Sequence, residues 1–216
     1  AITTAQAAVL TSAQMSGISA TQIAAMQTAD VAALSTAVIS TLNAAQVQGM
    51  TTAQIEGLST TQVAKLAATQ LAALSSTQMA AMQTDDLKQL GTAQLGYLNQ
   101  NVFSGLGTAQ VAALTDVQIK QMSTANIQAL TSDQAKALTG AQLGALSSAQ
   151  VAAMDTVDLA QLTSTQIQSL GNAALNGLTT AQVNSLGTNQ VAALKADPST
   201  ASIPVIMLTA RGHTLT

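Results

Sequence analysis

An apolar residue recurs at every eighth position along most of this chain, and no insertion or deletion shifts the pattern. The first apolar slot holds Leu, Ile or Met in all 25 of its occurrences, from Ile2 to Leu194. The second slot lies five residues further on and is apolar in all 24 of its occurrences, from Ala7 to Val191. An unbroken internal repeat of this kind predicts that one structural unit is copied along residues 1–194.

The eight-residue period excludes both a continuous strand and a continuous helix. The two apolar slots are separated alternately by three and by five residues, so a strand would place them on opposite faces. Eight residues turn an α-helix through roughly 800°, so the apolar stripe would drift by about 80° in every repeat. Neither regular element keeps both slots directed toward one core.

The octad carries the signals of a helix start. With Ser59 as the N-cap, Gln62 occupies position N3 and completes a capping box, while Leu58 and Val63 form a hydrophobic staple. The cap slot holds Ser, Thr, Asn, Asp or Gly in 21 of 25 octads, and the N3 slot holds Gln in 17 of 24. The pattern therefore predicts helices that begin after the cap residues, among them Ser59, Ser75, Thr115 and Thr163.

Helices of about five to seven residues are unstable alone in water, so neighbouring octads must support each other. The sequence therefore predicts an all-α solenoid of very short capped helices, one per eight-residue repeat. The number of octads in each turn stays open between three and four. The similarity of residues 74–98 to residues 146–170, at an offset of nine octads, favours three, whereas the similarity of residues 24–30 to residues 80–86 has an offset of seven octads, which three does not divide.

Residues 195–216 leave the repeat and are predicted to form a short C-terminal strand or tail. Pro198 lies in a breaker, and residues 203–210 are apolar and β-branched, which is typical of a strand. The segment KADPSTASIPVIMLTARG, residues 195–212, resembles the fourth strand of response-regulator receiver domains and the loop before it. The chain lacks the acidic pair, the phosphoacceptor Asp strand and the Lys-Pro motif of that family, so a working receiver is excluded.

Three octads carry Asp in place of Gln at position N3, namely those of Asp30, Asp86 and Asp158. In each of them the cap slot holds Gln or Asp. Since a carboxylate is favourable at a helix N-terminus, the simplest interpretation is that Asp compensates for a weaker cap. The alternative is a cation site that uses Asp85, Asp86, Asp155 and Asp158.

The recurrent polar side chains allow a structural and a binding interpretation. In the structural one, each N3 Gln closes only its own capping box. In the other, stacked octads align the Gln side chains in a ladder. The pairs Thr51–Thr52 and Thr179–Thr180 are similar to the flat Thr arrays of ice-binding proteins, although capping already uses part of the Thr content.

The composition excludes most catalytic and ligand-binding classes. The chain has no Cys and only one His, His213, which excludes disulfides, thiolate metal sites and multi-His sites. Six basic residues and 1% aromatic content give no signature of nucleic-acid binding. No apolar run reaches the length of a membrane span. We therefore expect no enzyme, no cofactor, and no catalytic, cofactor-binding or metal-binding residue.

The octad resembles the TTAQ-type repeats of large, low-charge bacterial surface and secreted proteins. This resemblance covers residues 1–194 and points to a style of protein rather than to an activity. The low charge, the absence of Cys, the few aromatic residues and the repetitive Ala, Thr, Gln and Ser content favour an abundant exported structural protein, extracellular or at the cell surface. The expected function is that of a self-assembling fibre subunit or a surface stalk, whose partner is another copy of the chain. Head-to-tail contacts would produce a filament, with residues 203–210 near the junction. The alternative is an adhesin-like solenoid binding module whose face recognises a glycan or ice.

Overall fold

A computed structural model describes residues 2–198 and residue 200. The chain divides into two compact units, unit 1 (Ala1–Leu114) and unit 2 (Thr115–Thr216). The described residues form 24 short α-helices and contain no strand. The predicted all-α solenoid of short helices is therefore confirmed, whereas the predicted strand at 203–210 lies outside the described residues.

Each helix begins directly after the cap slot of its octad. The helices of unit 1 are α1 (Thr4–Ala8), α2 (Ser12–Ser16), α3 (Ala20–Ala24), α4 (Thr28–Ala33), α5 (Thr36–Ile39), α6 (Ala44–Gly49), α7 (Thr52–Glu56), α8 (Thr60–Val63), α9 (Ala68–Ala73), α10 (Ser76–Ala80), α11 (Thr84–Gln89), α12 (Thr92–Gly96), α13 (Gln100–Ser104) and α14 (Thr108–Ala113). The helices of unit 2 are α15 (Asp116–Lys120), α16 (Thr124–Gln128), α17 (Ser132–Ala137), α18 (Gly140–Ala145), α19 (Ser148–Ala153), α20 (Thr156–Gln161), α21 (Ser164–Gln168), α22 (Asn172–Leu175), α23 (Thr180–Ser185) and α24 (Thr188–Ala196).

The helices begin where the capping pattern predicts. Ser59, Ser75, Thr115 and Thr163 are N-caps with extended backbones, and each hydroxyl oxygen accepts a hydrogen bond from the backbone N–H of the N3 glutamine. In return, the Oε1 atom of that glutamine accepts the N–H of the cap residue at 2.8–2.9 Å. Both halves of the capping box are present, so these four helix starts are confirmed.

Both apolar slots of the octad line the core of each unit. In the second slot, Leu71 and Met79 are fully buried, and in the first slot Leu74 is also buried. The most irregular octad, residues 99–106, places the single Phe of the chain, Phe103, in the second slot, where it is buried. Its irregularity is thus accommodated within the core, whereas the preceding Tyr97 is exposed.

Each helix packs on the helix three octads away, as in the pairs α10–α13 and α11–α14 of unit 1 and α16–α19 and α20–α23 of unit 2. The start of α10 lies against the end of α13, because a Cβ added to Gly105 would contact the backbone of Ser76. The side chain of Gln110, at the start of α14, also reaches the end of α10, where its Nε2 atom donates to the Met79 carbonyl at 3.0 Å.

The packing agrees with three octads per turn rather than four, the number that the similarity at an offset of nine octads favoured. The repeat sets the spacing of the helices, whereas the number of octads in a turn depends on which helices pack together.

The last helix extends beyond the final apolar slot of the repeat. Helix α24 includes Lys195 and Ala196, which the sequence pattern assigned to the breaker, and it is capped at Asp197. The Thr200 hydroxyl donates to the carbonyl of Leu194. The division into residues 1–194 and 195–216 stays a prediction, because most of the second segment lies outside the described residues.

Exchanging cap residues is expected to change stability locally in opposite directions. The Thr131 hydroxyl oxygen accepts the Gln134 N–H at 3.3 Å, whereas Ala67 caps its helix without a side-chain bond. We expect Thr131→Ala to cost about 0.5–2 kcal/mol and Ala67→Ser to gain part of the same amount. Hydrogen exchange should change near the substituted octad alone. A uniform change along the chain would contradict nearest-neighbour coupling.

Candidate functional site

The side chain of the N3 glutamine joins one turn of the solenoid to the turn before it. Gln78 is buried, and its Oε1 atom accepts the Ser75 N–H at 2.9 Å. Its Nε2 atom donates to the carbonyl oxygens of Met50 at 2.7 Å and Val47 at 2.9 Å, which lie 28 and 31 residues earlier. One amide group thus caps its own helix and binds the preceding turn. We call this arrangement the glutamine clasp.

The glutamine clasp recurs in both units with nearly constant sequence separations. In every case Nε2 donates to a carbonyl 28 residues earlier and to another 30 or 31 residues earlier. The glutamines are Gln46, Gln54, Gln62, Gln70, Gln78, Gln94 and Gln110 in unit 1 and Gln150, Gln166, Gln182 and Gln190 in unit 2.

The glutamine clasp supplies donors to carbonyl groups at the ends of helices. The last carbonyls of a helix have no complete set of partners within that helix, and a short helix has a large share of such groups. A buried carbonyl without a donor costs about 1–3 kcal/mol. The clasp removes this cost in the octads that have it, so it contributes repeatedly to stability beside the apolar core.

Sequence reasoning recognised the capping role of these glutamines but missed their second role. A visible signal was the residue choice itself. Glu serves as well as Gln in a capping box, yet the N3 slot contains Gln 17 times and never Glu. A carboxylate has only acceptor oxygens, whereas an amide also has two N–H donors. The strict preference for Gln therefore indicates that the donors are used.

Three glutamines have the capping bond without the clasp. Gln6, Gln14 and Gln22 have exposed side chains, and no octad of the described chain lies 28 residues before them. Their Oε1 atoms still accept the N–H of their own cap residues at 2.8–2.9 Å. The chain therefore contains natural examples in which the two roles of the N3 glutamine are separated.

The three N3 aspartates also reach the preceding turn, through a different partner. The Asp30 carboxylate accepts the Thr4 hydroxyl at 3.0 Å, and the Asp158 carboxylate accepts the Ser132 hydroxyl at 2.6 Å. All three lie in the first turn of their helix, where a carboxylate is favourable. Asp is one methylene shorter than Gln, so it contacts a hydroxyl 26 residues earlier.

The alternative cation site of Asp85, Asp86, Asp155 and Asp158 is not supported by the geometry. Nowhere in the part of the chain that the structure describes do three His, Cys, Asp or Glu side chains lie together. The exposed Asp85 instead pairs with Lys88 at 2.9 Å on the surface of its own helix. An exposed pair of this kind contributes little to stability.

The length and hydropathy of the helices determine whether one of them could cross a membrane. Among residues 2–198 and residue 200, no helix is both long enough and apolar enough to cross a lipid bilayer. The longest helix, α24, has nine residues. A span needs about 20 residues.

The fold defines the chain as an all-α octapeptide-repeat protein. Three segments match the family model of the ALTTAQ repeat, residues 23–60, 79–116 and 168–196. The chain is similar to that repeat over slightly less than half of its length, in agreement with the TTAQ-type resemblance. No curated protein and no solved structure matches the chain. The resemblance of residues 195–212 to a receiver domain gains no support from these comparisons.

The octads outside the matched segments have the same structure as those inside them. Thr131, Thr139 and Ser147 are N-caps with complete capping boxes, although none lies in a matched segment. The eight-residue register therefore describes the extent of the repeat better than the matched segments do.

Proposed function

We propose that this chain is a non-enzymatic structural protein, a subunit of a self-assembling fibre or a surface stalk outside the cell. The glutamine clasp carries the proposal. The glutamine that recurs at position N3 binds one turn to the next, so these side chains are unavailable for a substrate or ligand. A repeat whose recurrent polar residue serves stacking is suited to mechanical continuity.

The chemistry of the clasp also favours association between copies. Its Nε2 atoms donate to backbone carbonyls, which every octad has in the same positions. The clasp therefore does not distinguish the preceding turn of the same chain from a turn of a second copy. The formal net charge of −3 over 216 residues opposes such contacts only weakly.

Head-to-tail contacts between copies are heterologous, and repeated heterologous contacts produce filaments.

The test is light scattering of the purified 216-residue chain over a range of concentrations, with negative-stain microscopy of the same samples. We expect fibres whose formation depends on concentration and changes little with salt, because the contact contains few charges. A monomer at all concentrations would contradict the self-assembly proposal and favour the binding-module alternative.

Two further measurements test which residues join the copies and whether the protein lies outside the cell. A chain that lacks residues 201–216 should assemble less well if residues 203–210 lie at the junction, and equally well if octads alone form it. Surface labelling of intact cells should reach a chain that is displayed outside the cell. A chain labelled only after lysis would contradict the extracellular part of the proposal.

A further inference from the structure

Asp86 differs from the two other N3 aspartates in one respect. It is buried, and its Oδ2 atom has no hydrogen-bond partner. Among the described residues, no other buried side-chain nitrogen or oxygen lacks a hydrogen-bond partner. A buried acceptor without a donor is unfavourable, and more so when it belongs to an ionised group. The protonation state of Asp86 therefore affects the stability of its surroundings.

The elements packed around Asp86 provide no cation to neutralise it. Helix α11 packs on α8 and α14, and neither of these two helices contains a titratable residue. Lys65, which follows α8, is exposed. On α11 itself, the adjacent Asp85 is a second carboxylate, and Lys88 is paired with Asp85 rather than with Asp86.

The preceding α7 likewise adds no compensating charge. Its last residue is Glu56, whose backbone carbonyl accepts the Gln83 Nε2 at 2.9 Å. The Glu56 side chain is acidic. All charged groups near Asp86 that are not already paired are therefore either negative or exposed to solvent.

The octad of Asp86 also lacks the glutamine clasp. Gln78 and Gln94, in the two neighbouring octads, donate to carbonyls 28 and 30 or 31 residues earlier. The corresponding residues for Asp86 are Leu58 and Ile55, and within the described residues neither carbonyl receives a side-chain donor. A carboxylate has no proton to offer them. Two other side-chain donors join this octad to the preceding turn, the Thr60 hydroxyl, which donates to Asp86, and the Gln83 Nε2, which donates to the Glu56 carbonyl.

We propose that Asp86 is a proton-sensitive joint of unit 1, at which uptake of one proton tightens the contact between α11 and the preceding turn. The proton comes from solvent when the joint opens locally and binds to the carboxyl group. The neutral carboxyl removes a buried charge and gains an O–H donor in the slot where the glutamine clasp has its N–H donors. The joint operates in the single chain, whether or not copies assemble.

The direction of the pH effect follows from the surroundings. Burial raises the pKa of Asp86 above its ordinary value of 3.8, hydrogen bonds from Thr60 and Gln83 lower it, and the Asp85 carboxylate raises it. The net pKa is raised, so the contribution to stability is present below 3.8 and is lost as the pH rises through the folded-state pKa. Each pKa unit between the folded and unfolded states changes the closed-to-open ratio about tenfold.

Hydrogen exchange on the full chain tests the joint, with protection factors corrected for intrinsic rates. For the wild type we expect protection of α8 and α11 to rise several-fold between about pH 7 and about pH 4. Asp86→Asn should remove this pH dependence, and Asp86→Gln should give high protection at both pH values because it restores the clasp donors. Asp158→Asn in unit 2 is the matched control and should leave α8 and α11 unchanged. Equal pH profiles for the wild type and Asp86→Asn would overturn the proposal.

A second measurement does not depend on the folding of an Asp86 variant. Carbon NMR of the wild-type carboxyl group should show Asp86 titrating above 3.8, and a titration below 3.8 would overturn the proposal. Asp85→Asn changes only an exposed side chain. It should lower the titration midpoint of Asp86 and weaken the pH dependence of α11, and an unchanged midpoint would count against the role of Asp85.

Discussion

Replacing Gln78 with Glu is expected to cost about 3–5 kcal/mol in the free energy of unfolding, although Glu is as good a capping-box residue as Gln. The variant keeps an acceptor for the Ser75 N–H. It loses both donors to the Val47 and Met50 carbonyls and places a carboxylate against two carbonyl oxygens. Buried groups left without partners are costly, so this single-atom exchange should be among the most disruptive in the chain. Urea denaturation followed by circular dichroism measures the effect.

The matched control is Gln14→Glu. The Gln14 side chain accepts the Thr11 N–H at 2.8 Å, but it is exposed and makes no clasp. Glu at this position keeps the capping bond and places a negative charge at a helix N-terminus, so the effect should be neutral or slightly stabilising. If both variants lose the same stability, capping alone explains the N3 glutamine, and the clasp contributes nothing measurable.

Replacing Gly105 with Ala is expected to destabilise unit 1 by about 1–3 kcal/mol through overpacking. Gly105 has an ordinary right-handed conformation with φ −72°, so Ala has no backbone difficulty there. A Cβ at this position would lie 2.6 Å from the Ser76 Cα and would also contact the Ser76 carbonyl oxygen. Because the obstacle is backbone rather than a flexible side chain, the two turns must move apart. Thermal unfolding should show the loss.

The control for this steric argument is Gly96→Ala in the neighbouring octad. A Cβ at Gly96 meets no atom within 4 Å, and Gly96 lies at the end of α12. Ala there should stabilise by about 0.5–1 kcal/mol because it lowers the entropy of the unfolded chain. If both variants lose a similar amount of stability, the contact between turns is not the reason why residue 105 must be Gly.

The local structure of the chain was predictable because its signals are local. An N-cap such as Ser75 forms a hydrogen bond with a residue three positions away, and the two residues of the hydrophobic staple also lie within one octad. The helix starts could therefore be predicted from the sequence pattern without tertiary information. The core was equally accessible, since Leu71 and Leu74 occupy the two slots that the period defines. The extension of α24 through Ala196 was missed, because Lys195 in a cap slot suggested a break.

Contacts between turns could not be predicted in the same way. Gln78 reaches Val47 across 31 residues, and which carbonyl lies there depends on how many octads close a turn. The same holds for Gly105. The Ser76 backbone leaves no space for a Cβ at Gly105, and this close approach is visible only in the folded chain. For Asp86, the sequence indicated a carboxylate at a helix start but not its burial or its unpartnered oxygen.

By itself the sequence determined the period of eight, the capped helix in each octad and the two slots that form the core. The period, the capping bonds and the choice of apolar slots are all visible within one octad, so they can be predicted without knowing which turn packs against it. Only the tertiary structure decided that each helix packs on the helix three octads away, and this packing brings the Gln amides to the carbonyls of the preceding turn. The physical reason is that eight residues fix the helix and its link, whereas the angle between successive helices is set by packing and hydrogen bonding across the whole turn.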